Sequence, residues 1–123
     1  MGIRLRNMDE WYYTLPTGSN VAATNVGVDD NVASVRVLRA GTITNVWGDA
    51  SIGTSIVLEL ERSRAGTQAS VGTVTATPSG VAMSSLSNTD VVEGDILVMH
   101  TNSLTGNVVG CSLTVKVDHK MNK

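Results

Sequence analysis

Apolar residues in this chain recur at every second position, with no segment of helical spacing, and that periodicity most narrows what the chain can become. In "TSIVLELER" (54–62), Ile56, Leu58 and Leu60 fall on one face and Val57, Glu59 and Glu61 on the other, the pattern of a strand with one covered and one wet side. "ASVRVLRAGTITNVWG" repeats it twice: Val35 and Val37 oppose Arg36, Ile43 opposes Thr42 and Thr44, and Gly41 marks the turn between them. Further runs of this kind span 20–28, 70–77, 80–86, 95–101 and 107–118, separated by the turn compositions "VDDN", "SRAGTQ", "TPSG", "VEGD" and "NSLTG". About eight short strands at this spacing predict an all-β fold, an antiparallel β-sandwich or jelly roll. The expected organisation is an N-terminal arm (1–19), a sandwich domain (20–118) with strands beginning near Val21, and a polar tail (119–123). At 123 residues such a domain can bury one core without disulfides or a metal.

The charge pattern restricts partners. A net charge of −2, with 16% of residues charged, supplies no electrostatic footprint for nucleic acid or an anionic membrane. No stretch approaches the ~20 apolar residues of a membrane span, and the N-terminus has no apolar export segment, so synthesis in a cytoplasm is expected. The single Cys111 faces the same way as Val109, Leu113, Val115 and Val117, the position of a small buried hydrophobe. His119 lies in the polar tail, where a solvated side chain is expected. His100 ends the run "DILVMH" on the face of Ile96 and Val98, as a partly buried strand-end residue. Asp29, Asp30, Asp90, Glu93 and Asp95 cluster on loops, but turns use Asp for backbone reasons and the spacing is not that of a calcium loop. With no phosphate loop, HExxH, paired cysteines or hydrolytic triad in view, the expectation is a non-enzyme with no cofactor and no metal.

Two features ask for a surface. Residues 65–89 contain no charged side chain, although exposed sheet edges are usually guarded by charge. Either a neighbouring subunit buries this stretch, or Ser/Thr-rich strands simply tolerate low charge. The second feature is "MDEWYYTLP" (8–16): Trp11, Tyr12 and Tyr13 stand together, and Trp47 is the only other aromatic. Read as a partner-binding arm, the segment uses Arg4, Arg6, Trp11, Tyr12, Tyr13 and Leu15. Three rings of ~150–250 Å² each are worth roughly 10–20 kcal/mol gross at ~25 cal/mol per Å². Ordering about ten residues costs roughly 1–2 kcal/mol apiece, so such an arm works best in several linked copies. In the other reading, Trp11 and Tyr13 cover the open end of their own sandwich and Tyr12 points outward.

Taken together, "AGTITNVWGDASIGTSIVLELER" (40–62) and "VVEGDILVMHTNSLTGNVVGCSLTVKVD" (91–118) resemble a β-sandwich module of tailed-bacteriophage virions. The resemblance lies in an "AGTIT" opening strand, an amphipathic strand, a neutral segment, a "V-x-x-GD" turn and a final alternating strand. It covers roughly 40–118 and carries no catalytic residues to transfer. It implies a head decoration (cement) protein that sits on the outside of the capsid and contacts the major capsid protein or another virion protein, commonly as a homotrimer. The alternative within the same resemblance is a head- or tail-bound module of a fibre or spike that recognises a host or carbohydrate. Accessory domains of bacterial hydrolases are a remote third. Sugar binders usually expose aromatics on loops, and these loops carry none.

Overall fold

The computed structural model describes residues 10–16, 31–50, 55–105 and 110–119, and its described elements are all strands. β1 (Glu10–Pro16), β9 (Cys111–Asp118), β3 (Gly41–Ala50) and β6 (Val81–Ala82) form one sheet in that order, with β7 (Asp90–Val91) also paired to β3. β2 (Asn31–Arg36), β8 (Ile96–Thr105), β4 (Ser55–Arg64) and β5 (Thr67–Ala76) form the other. Every strand pairing is antiparallel. The chain changes sheet at every step except β4 to β5 and β6 to β7, which is the winding of a jelly roll.

Alternation builds the core as the sequence predicts. Along β9 burial alternates at every residue, with Cys111, Leu113, Val115 and Val117 inward. Ile56, Leu58 and Leu60 meet them from β4, and Leu97 and Met99 from β8. The two-residue β4–β5 connection closes Arg64 against Thr67, and Ala65 and Gly66 both have positive φ, 52° and 83°. That is the turn whose twist matches flanking strands, and glycine reaches it without steric cost.

Four expectations change. Regular strand structure begins at Glu10, because β1 pairs with β9 over seven residues, from Glu10 opposite Asp118 to Pro16 opposite Ser112. The segment read as an arm is therefore a strand of the sandwich through 10–16. The predicted strand at 20–28 lies outside the described residues. The run at 80–86 is strand only over Val81–Ala82. Beyond it the chain leaves β3 and crosses the open side of the sandwich, Met83 N–H donating to Val46 O and Ser87 N–H to Val71 O. His100 is no strand end, since β8 runs on to Thr105. His119, expected in solvent, is fully buried.

The uncharged stretch gains an explanation in the same way. β5 is the outer strand of its sheet, and its edge at Ser70 and Val71 is covered by the chain's own 87–88 segment. Ser87 supplies a backbone donor and the Asn88 side-chain amide donates to Ser70 O at 2.7 Å. Part of the edge is thus guarded by a polar segment of the same chain rather than by charge.

Candidate functional site

Period-two geometry splits the aromatic cluster between the two faces of one sheet. Tyr13 and Leu15 are buried in the core, Trp11 packs half-buried against it, and Tyr12 points outward. Arg4 and Arg6 lie outside the described residues. The six residues of the predicted arm are therefore not one surface: those pointing inward hold the fold, and Tyr12 alone of the described four is presented to solvent.

On the inner side, Tyr13 meets His119. The Tyr13 hydroxyl lies 2.9 Å from His119 Nε2, and His119 Nδ1 lies 3.0 Å from Ala40 O. A carbonyl only accepts, so Nδ1 carries the proton and Nε2 accepts from the Tyr13 hydroxyl. The Tyr13 oxygen in turn accepts from Leu38 N–H at 3.4 Å. Burial pushes the Tyr13 phenol up, opposed by the Leu38 N–H and the nearby Arg39 charge. Arg39 donates to His119 O at 3.0 Å and lies 5.0 Å over the Trp11 ring, which itself meets His119 edge-on at 4.9 Å. Gly41 makes this packing feasible: a Cβ there would stand 2.5 Å from Asp118 O and 2.8 Å from His119 Nδ1. The signal for His119 was in the sequence, because it continues the inward row 111, 113, 115, 117 by one more step.

A second, ionic cluster braces the same end from the other sheet. Arg64 at the end of β4 donates through Nε and Nη2 to the two oxygens of Asp95, at 2.9 and 2.7 Å. Arg62 contacts the exposed Asp90 at 2.8 Å. Asp95 is buried, also accepts from Val92 N–H at 2.9 Å, and is held below the usual carboxylate range chiefly by the Arg64 hydrogen bonds. These carboxylates, considered above as cation ligands, are engaged by arginines. Among the described residues no group of three or more His, Cys, Asp or Glu side chains is placed to hold a metal ion. Burial pushes the Cys111 thiol up to about 11, which leaves it unionised at neutral pH and a poor nucleophile.

The loop between β2 and β3 is gripped by both clusters. Val37 exchanges backbone hydrogen bonds with the turn before β8, donating to Asp95 O and accepting from Gly94 N–H, while Leu38, Arg39 and Ala40 reach Tyr13 and His119. From this braced end two large apolar side chains project, Leu38 at 54% and Val92 at 42% exposure. The third exposed large hydrophobe among the described residues is Tyr12, at 59%. Neither Leu38 nor Val92 was singled out from sequence, since nothing local shows that two loops so distant in the chain share one end.

Fold and faces together define a jelly-roll β-sandwich with a stiffened, partly apolar end. No protein-family model matches the chain, and no curated protein is detectably similar to it.

Proposed function

We propose that this protein is a non-enzymatic structural module of a virion surface, a decoration (cement) protein that binds the outside of an assembled phage capsid through the braced end of its sandwich. The observation that carries this reading is the pair Leu38 and Val92, exposed on loops that backbone hydrogen bonds tie to each other. Apolar side chains held on a rigid frame lose little freedom on docking, so more of their burial appears as affinity. The jelly-roll winding, which recurs in capsid and lectin domains, and the sequence resemblance support the same class by analogy. The partner is the major capsid protein or another virion protein. Assembly as a homotrimer, which the resemblance implies, multiplies a small contact by avidity.

The test is cosedimentation of the purified chain with capsids assembled without it, and separately with host cells. The double variant Leu38→Asp, Val92→Asp is expected to melt like the parent and to lose capsid binding. Unchanged capsid binding by a folded double variant overturns the docking surface. Binding to host cells with none to capsids replaces this reading with the fibre or spike alternative.

A further inference from the structure

The outer face of the β1–β9–β3 sheet carries a feature that neither the core nor the docking end uses. Tyr12 on β1 and Trp47 on β3 reach toward each other across β9, their ring centroids 6.4 Å apart and their planes inclined by 22°. Register fixes the arrangement: Tyr12 and Asn45 both lie opposite Lys116, and Thr14 and Trp47 both lie opposite Thr114. The rings thus occupy diagonal positions on the outer face and stack near-parallel across the middle strand.

We infer that Tyr12 and Trp47 form a stacking platform for a neutral oligosaccharide. Three observations select this ligand chemistry. First, the rings are near-parallel and Tyr12 is largely exposed, which suits the flat C–H face of a pyranose. The quadrupole of an aromatic face attracts the weakly positive hydrogens of that surface. Second, the surroundings offer hydrogen-bonding groups of both kinds. Glu10 and Lys116 pair at 3.7 Å, and Thr14, Asn45 and Thr114 adjoin them in register. Such a rim suits hydroxyls, and Asp49 and Asp118 on the same face disfavour an anionic ligand. Third, the apolar area is small. Two rings of ~150–250 Å², one already half-buried, fall well short of the ~800 Å² per partner of a stable protein interface, and the residues around them are polar. A second protein would have little to bury here.

The proposal goes beyond capsid docking and does not depend on it, since the residues differ. Uniformly ¹⁵N-labelled full-length protein would be titrated into the millimolar range with cellotetraose, maltotetraose, chitotetraose and a sulfated heparin tetrasaccharide. The expected result is saturable shifts from at least one neutral probe, confined to β1, β9 and the Trp47 end of β3. Tyr12→Ala is expected to weaken that binding by about tenfold or more without changing the melting curve, while Tyr12→Phe retains it. The Leu38→Asp, Val92→Asp variant should bind the sugar like the parent, so failure of the capsid reading is seen separately. No shift with any neutral probe, unchanged binding in folded Tyr12→Ala, or tighter binding of the sulfated probe overturns the proposal. Loss of capsid binding in Tyr12→Ala also overturns it and makes this face part of the docking surface.

Discussion

The two clusters that brace one end of the sandwich solve the same problem with different chemistry. Around Tyr13 and His119 the bonds link a phenol, an imidazole and backbone groups, with the Arg39 charge at the edge; the histidine is fully buried, and the chain of donors has one direction. Around Asp95 the bonds are ionic, and Arg64 stays 38% exposed at its side chain. A neutral buried chain depends on shape, because each member left without its partner bears the full desolvation cost. An ionic clamp at the solvent boundary depends on protonation, and its exposed arms are screened.

That contrast can be broken from either side. The largest expected effect is His119→Ala, which empties a fully buried site, takes the acceptor from the Tyr13 hydroxyl proton and removes the imidazole donor to Ala40 O. Urea denaturation at neutral pH should show a loss of roughly 2–4 kcal/mol. Asp95→Asn should follow, at roughly 1–3 kcal/mol, through loss of charge-assisted bonds to a buried group. Its second signature is pH. Because the Asp95 carboxyl is held low in the folded state, its stabilisation is complete above the unfolded value near 4 and is lost as pH falls through the folded value. The parent should therefore lose stability on acidification below about pH 4 with a component that Asp95→Asn lacks. His119→Ala should leave that component in place. The smallest effect belongs to Asp90→Asn. That carboxylate is 72% exposed at its side chain although it shares Arg64 with Asp95, and the denaturation midpoint should not move measurably. A large loss there would mean that the two carboxylates act as one unit.

Period-two alternation made the sandwich legible in sequence, because burial on one face of a strand leaves a local trace that β4 and β9 both show. The same rule, applied to 10–16, separates Tyr12 from Trp11 and Tyr13. Of the two readings of the three adjacent rings, the structure agrees with the one in which Trp11 and Tyr13 cover their own sandwich and Tyr12 points outward. What sequence did not reveal is the partner of each strand. Nothing local in "EWYYTLP" indicates that it lies along "CSLTVKVD", nor that Arg62 and Arg64 face Asp90 and Asp95. Such contacts join distant segments, and residue type alone does not specify which turns share one end. The Tyr12–Trp47 platform was missed for the same reason, since its rings sit on strands separated by a third that comes much later in the chain.

The position of β9 also bears on how the protein is made. It is the last of the described strands in the order of synthesis, yet it lies between β1 and β3 and joins them. Until it leaves the ribosome, β1 has no partner in its sheet and the row of Ile43 and Val46 on β3 lacks its neighbour. The sheet therefore closes only after translation has passed residue 118, and closure pairs segments about a hundred residues apart. Such distant pairing slows folding, because loop entropy is spent before the contacts that reward it form. Nascent chains will expose unpaired strand edges until then, and a chaperone that shields them will raise the yield more than one that acts on the finished fold.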